Sequence, residues 1–290
     1  MEFVFHPLAP PEYTSAMQDW DSQFATRSPM FEPLRAMGEI IQSEAWPTSE
    51  ALSAAAARRD VRSGGGQPLQ FAAPAAAGLP GAADYELSIH DEGSVPLRAA
   101  NWHDLFNALA WLAFPQIKAA LNRAHAAELR AGTAGQVDQH ERNNGRSAKR
   151  DALTLFDESG VLVLSSDRKV LDRIRAFEWK PLFCTERDTL VRTTHFLLFG
   201  HGLYEKALAP YVGMTGHALL LKTPAGLDVS NPLALIAAAD DLAAIALTQI
   251  IQRPRDLSPL PVLGVPGWFD ANCQVDFYDN SAYFRPRRAR

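Results

Sequence analysis

The sequence predicts an α+β fold: a single globular domain of mixed helices and short hairpins, opened by a helical N-terminal segment. Helical and extended patterns follow one another without the strand–helix alternation that a parallel α/β sheet requires. The chain has no internal repeat and no heptad run. Its 290 residues are 47% hydrophobic and 21% charged, an ordinary balance for a globular protein long enough to bury a core. Collagen-like, acidic disordered and disulfide-rich miniature chains are excluded.

Through residue 63 the pattern is one of short helices interrupted by proline. Leu34, Met37, Ile40 and Ile41 have helical spacing, and Trp46-Pro47-Thr48-Ser49-Glu50 starts a helix whose body is Ala51 to Arg59. Residues 64–84, rich in Gly, Ala and Pro, predict a loop. Tyr85 to Ile89 alternates as a strand, and Asp91-Glu92-Gly93-Ser94 reads as a turn. Asn101 is placed to cap a helix with its apolar stripe at Leu105, Leu109 and Leu112. Pro115 should end that helix and open another reaching about Leu129. Residues 131–149 lack a period and predict a loop. The runs LTLF and VLVL around Asp157-Glu158-Ser159-Gly160 predict a β-hairpin.

Farther on, Asp167 caps a short helix carrying Val170, Leu171, Ile174 and Phe177. Thr194 to Ala209 predicts a helix, His217 to Lys222 a strand, and Pro232 to Gln252 a long helix capped by Asn231. Phe277-Tyr278 and Tyr283-Phe284 predict a second hairpin. The main domain is then 85–290, forming one compact unit with 1–63.

Cys184 and Cys273 are far apart and have no metal-binding spacing, which fits a reducing compartment. The start, MEFVFHPLAPPEY, lacks a basic region followed by an apolar run. The most apolar stretch, PLALIAAADDLAAIALTQII, carries Asp240 and Asp241 at its middle and reads as a core helix rather than a membrane span. The expectation is a soluble cytoplasmic protein without a membrane partner.

Five segments carry a resemblance. YELSIHDEGSVPLR, NWHDLFNALAWLAFP, RDALTLFDESGVLV, LFGHGLYEKALAPYVGMTGHALL and LPVLGVPGW with FYDNSAYFRPR occur in that order. Together they resemble a bacterial family called domain of unknown function 3025, over roughly residues 85 to 290. The resemblance brings no reaction, cofactor or catalytic residue with it.

Chemistry is therefore read from the residues. His103 and Asn107 are four apart on one helix and share a face, which Trp111 extends by a turn. That face reads as a site wall with His103 as base or metal ligand, or equally as a cluster that caps and packs the helix. His201 and Glu205 are also four apart, a spacing that can hold a metal or pair a base with a carboxylate. Gly200 and Gly202 flank His201, and glycines there imply that another backbone or a ligand comes close. His195, six residues before His201, should point away from it if both lie on one helix.

Arg142, Arg146, Lys149 and Arg150 form a basic cluster able to meet an anion, or a solvated face with Arg150-Asp151 pinning the hairpin. Asp157 is read as a structural turn residue.

Signatures for P-loop hydrolysis, Rossmann cofactors, α/β-hydrolases and zincins are all missing from the sequence. The leading expectation is a hydrolase for a phosphate-bearing or other anionic small molecule. In it His103, His201, Glu205 and Asn107 form the catalytic set, with Arg146, Arg150 and Trp111 on the substrate. A divalent metal would be held by His103, His201 and Glu205. A non-enzymatic scaffold with a protein partner is the rival. Nucleic-acid binding through the Arg-rich loop and the RPRRAR tail is a weaker third.

Overall fold

The computed structural model describes residues 19–74, 81–133, 147–224 and 231–287. Arg142 and Arg146, most of the expected loop at 131–149, and the end of the tail lie outside them.

The architecture is α+β, built on a four-stranded mixed sheet. Its strands are β3 (Gly160–Ser165), β4 (Thr194–Leu198), β5 (Thr215–Lys222) and β6 (Ser258–Pro261), in the spatial order β4-β3-β5-β6. β3 pairs parallel with β5, and β4 and β6 flank them antiparallel. A second, two-stranded parallel sheet joins β1 (Gln70–Ala72) to β2 (Ser94–Pro96).

Side chains alternate across β3, so Val161 and Val163 face one core while Leu162 and Leu164 face another. Both faces of the sheet are therefore covered. One core gathers the N-terminal segment, where Phe31 stacks against Phe106 and Tyr204 and Phe24 meets Phe106 edge-on. The other gathers the long helices, and β3 is buried along its whole length as a consequence.

Local capping chemistry places most helices. α1 (Ser49–Arg58) is capped by Thr48, α3 (Trp102–Ala113) by Asn101, α6 (Arg168–Ala176) by Asp167 and α9 (Pro232–Ile250) by Asn231, each side chain accepting an N–H of the first turn. Pro115 opens α4 (Pro115–Thr133) directly after α3. The free N–H groups at that start are taken by a carboxylate from afar: Gln116 and Ile117 donate to Asp240 of α9 at 2.9 and 2.8 Å. By length and composition α9 could cross a membrane, but its Leu235, Ile236, Ala239, Ala243 and Leu247 are buried in the second core.

Five expectations are corrected. Tyr85 to Ile89 is not a strand but part of helix α2 (Ala82–Glu92), ended by Gly93 at φ +74°, whose N–H donates to Ile89 at 2.9 Å. Tyr85 and Ile89 are four apart, and the left-handed glycine makes a helix end rather than a strand turn. The expected loop at 64–84 accordingly contains β1 and the start of α2.

The hairpin at 153–164 is instead helix α5 (Ala148–Ser159) running straight into β3. Ala152, Leu153 and Phe156 form its buried stripe, and Asp157-Glu158-Ser159 is its last turn. Thr194 to Ala209 begins as strand β4, because THFLL is rich in strand formers and pairs along β3. A seven-residue helix α8 (His201–Ala207) follows, and α7 (Arg187–Thr193) precedes β4. His195 therefore stands on a strand, so the helical rotation argued for it does not apply.

The aromatic pairs at the C-terminus form no hairpin. Val275–Asp279 is 3-10 helix, and Phe277, Tyr278, Tyr283 and Phe284 pack into one cluster.

Candidate functional site

Three helices turn polar stripes toward one another. His103 and Asn107 lie on α3, Lys118, Asn122 and His125 on α4, and Arg150, Thr154 and Asp157 on α5, each at helical spacing. Lys118 lies level with Asp157, and Ser147 donates to Glu128 at 2.8 Å, so α4 and α5 run antiparallel. His103, Asn107, His125, Arg150, Thr154 and Asp157 of these stripes, with Tyr85, Glu86, Pro96, Arg98, Asp104, Glu158 and His201, line a cavity of about 370 Å³. A wider cleft of about 450 Å³ near the C-terminus is lined by Phe177, Trp179, Tyr283, prolines and two arginines.

At one end of the polar cavity three ligand-capable atoms converge. His103 Nε2 and His201 Nε2 are 3.1 Å apart, and Glu158 Oε1 stands 3.4 Å from His201 Nε2 and 3.8 Å from His103 Nε2. Donors bound tetrahedrally to an ion at about 2.1 Å stand about 3.4 Å from one another. The triangle has that size.

The glycines around His201 explain how the carboxylate reaches this point. A Cβ on Gly202 would sit 2.4 Å from Glu158 Oε2, and one on Gly200 would sit 2.5 Å from the backbone nitrogens of Ser159 and Gly160. The close approach expected at these positions is thus to the α5–β3 junction.

The far sides of both imidazoles face carboxylates. His103 Nδ1 is 3.0 Å from Glu205 Oε2. It must carry the proton there, which leaves Nε2 with its lone pair toward His201. His201 is 8% exposed at its side chain, and its Nδ1 lies 3.7 Å from Asp157 Oδ2 with no hydrogen-bond partner. A proton on that Nδ1 leaves two Nε2 lone pairs facing each other beside a third anion. A cation between them resolves the conflict: a shared proton satisfies the two rings, and a metal ion satisfies all three groups.

The electrostatics agree. Glu205 raises the pKa of His103 by hydrogen bonding to it, against the effect of burial and with help from Glu158. Burial works to raise Glu158 and Asp157, yet both carboxyls are held below their usual range, Glu158 by the two histidines and Asp157 chiefly by Lys118. Around the cavity Glu86, Asp104, Asp157 and Glu158 outnumber Arg98 and Arg150. Arg98 is further tied to Asp104, with Nε 2.9 Å and Nη2 2.7 Å from its two oxygens.

His103 and His201, expected to converge, do so. Glu205 is in the cluster but meets His103 from behind, and Glu158 occupies the place expected for it beside the two Nε2 atoms. Asn107 lines the cavity as expected, its amide held between Lys118 and Tyr85. Trp111 is not on the wall: it is 2% exposed, and its ring lies 5.3 Å beneath Lys118 Nζ. Asp157 is the half-buried ion-pair partner of the buried Lys118 rather than a turn residue. Arg150 lines the cavity, and Arg146 is outside the described residues.

Sequence reading passed over Glu158, Lys118, His125 and Tyr85. The stripe Lys118, Asn122, His125 on an otherwise apolar helix was the signal available for two of them.

A family model described as a protein of unknown function, DUF3025, matches residues 69–288. The chain belongs to the DUF3025 family. Every residue that lines the cavity falls inside the matched stretch. No curated protein and no solved structure matches the chain.

Proposed function

We propose that this DUF3025 protein is a divalent-metal-dependent hydrolase acting on a small anionic substrate. The observation that carries the proposal is the triangle of His103 Nε2, His201 Nε2 and Glu158 Oε1, with a carboxylate behind each ring. Two imidazoles and one carboxylate suit zinc and its neighbours better than magnesium or calcium, which prefer oxygen. Three protein ligands leave a fourth position for water, as hydrolytic zinc sites do.

An ion held there by His103, His201 and Glu158 would lower the pKa of a water toward neutrality and so supply a nucleophile for an acyl or phosphoryl centre. The bond to the leaving oxygen or nitrogen would break, and that atom would take the proton the water lost. Glu205 holds the His103 ring with Nδ1–H outward, as carboxylates behind ligating histidines do, while Asp157 stands 3.7 Å behind the His201 ring without a hydrogen bond to it. Arg150 on the same cavity offers a fork for an anionic substrate group. A dication would also offset the acidic excess of the lining. The polar residues share one concave site, which favours an enzyme over a scaffold.

Elemental analysis of protein purified without chelator or metal resin tests this. Near-stoichiometric metal is expected, lost in His103→Ala, His201→Ala and Glu158→Gln. A folded wild type that neither carries nor takes up zinc, manganese, iron or cobalt would sink the proposal.

A further inference from the structure

Beyond the histidine cluster the cavity wall holds two hydrogen-bond donors, Tyr85 and His125, from which no described residue accepts. Their polarity can be followed from the one group that can only donate. Lys118 Nζ is buried and donates to Asp157 Oδ1 at 2.6 Å and to Asn107 Oδ1 at 2.8 Å. This fixes which end of the Asn107 amide is oxygen, so its Nδ2 donates to the Tyr85 hydroxyl at 2.9 Å. The Tyr85 oxygen is thereby an acceptor, and its own proton must point elsewhere. Among the described residues nothing receives it, and Tyr85 lines the cavity.

His125 is the second such group. It is 5% exposed, lines the same cavity and makes no hydrogen bond among the described residues. Burial lowers its pKa and keeps the ring neutral, with one N–H to give. The Arg150 guanidinium and the Thr154 hydroxyl complete this wall from α5.

Helix geometry gives the separation. His125 is seven residues beyond Lys118 on α4, and Arg150 seven before Asp157 on the antiparallel α5. Both therefore stand about 10 Å along their helices from the groups behind His201. Glu86, whose Oε2 accepts from Asn122 at 2.9 Å, offsets the charge of Arg150. The wall is rich in donors yet nearly neutral, which favours one oxyanion group over a polyanion.

We infer that Tyr85, His125, Thr154 and Arg150 form a recognition subsite for a single oxyanion group of the substrate, phosphoryl or carboxylate, its far edge at His125 and Arg150 about two helical turns from the bond that is hydrolysed. The inference rests on the reading of this cavity as the active site. It makes the substrate a small molecule whose anionic group is a handle, remote from the reacting centre.

The test is calorimetric titration of inorganic phosphate and, separately, acetate into the chelator-treated full chain, then into the zinc-loaded chain. At least one probe should bind the metal-free protein, and Tyr85→Phe and His125→Leu should each weaken it about tenfold, the size expected for a hydrogen bond to a charged group. Tyr85→Phe is nearly isosteric and decides the matter if His125→Leu unfolds. Binding of neither probe, binding only to the zinc-loaded chain, or unchanged affinity in Tyr85→Phe overturns the subsite. The same titrations separate the two readings. Phosphate held by Tyr85 in a chain that takes up no zinc would keep the subsite and sink the metal centre. Zinc uptake with phosphate bound only through the ion would do the reverse.

Discussion

Two concavities of this protein differ in how their polar groups are used. In the C-terminal region the buried side chains of Asn272, Tyr278 and Tyr283 all meet backbone partners. Tyr283 donates to Met214 at 2.7 Å and accepts from Leu263 at 3.0 Å. Asn272 donates to Leu263 and Val265, and Trp179 donates to Arg285. Between α3, α4 and α5, by contrast, His201 Nδ1 is buried without a partner, and no described residue accepts from the Tyr85 hydroxyl or the His125 ring. A buried polar group without a partner costs about 1–3 kcal/mol, so a fold that keeps one beside two further unanswered donors holds them for something else. The lesson is that unmet hydrogen-bonding capacity, more than cavity size, separates a working site from a structural seam.

Substitutions can break that contrast or sharpen it. Lys118→Met should have the largest effect, because it removes the buried cation that pairs with the half-buried Asp157 carboxylate. A loss of about 3–5 kcal/mol is expected in denaturant titration, largely restored by adding Asp157→Asn. If the double variant recovered no stability, the cavity floor would not be held by this pair. Asn272→Ala leaves the Leu263 carbonyl without a donor, takes one of two donors from Val265 and removes the acceptor of Arg187 Nη2. It should cost about 3 kcal/mol while leaving metal content unchanged, and altered metal content would blur the division between the regions.

Asp240 tests a third place, the start of α4. Burial raises its carboxyl to about 6, opposed by the N–H groups of Gln116 and Ile117. Because the folded value lies above the unfolded one of about 4, this contribution is full below about pH 4 and is lost as pH rises through 6. Wild type should therefore gain up to about 3 kcal/mol from this group as pH falls across that window. Asp240→Asn should remove that part of the slope in urea titrations at pH 4 and 7. Tyr283→Phe is the mildest change, expected to lower stability by about 1–2 kcal/mol through the orphaned Leu263 N–H, with no effect on phosphate binding.

The parts of the molecule that local chemistry decides were legible in sequence. Thr48, Asn101, Asp167 and Asn231 cap helices by bonds spanning two or three residues, and Pro115 marks a boundary by its own ring. The convergence of His103 and His201 was also legible, because each sat at helical spacing from a second polar group. Glu158 was not. Its neighbours Asp157, Ser159 and Gly160 look like a hairpin turn, and only the packing of Ala152, Leu153 and Phe156 against the sheet makes the segment a helix end. Tyr85 was hidden by the same confusion of periods, since a short apolar alternation fits strand and helix alike. Lys118 and His125 were visible as residues, but nothing local says that their helix is buried on that side.

The junction between α5 and β3 has no loop, so the Glu158 carboxylate is two residues from a strand whose register is fixed on both sides, with Gly160 opposite His217 and Val161 opposite Leu198. One residue inserted there would swing the helix end by about 100° and carry Asp157 and Glu158 away from both histidines together. Length is thus frozen at this point of the chain: substitutions here can be graded, but an insertion or deletion dismantles the whole constellation at once.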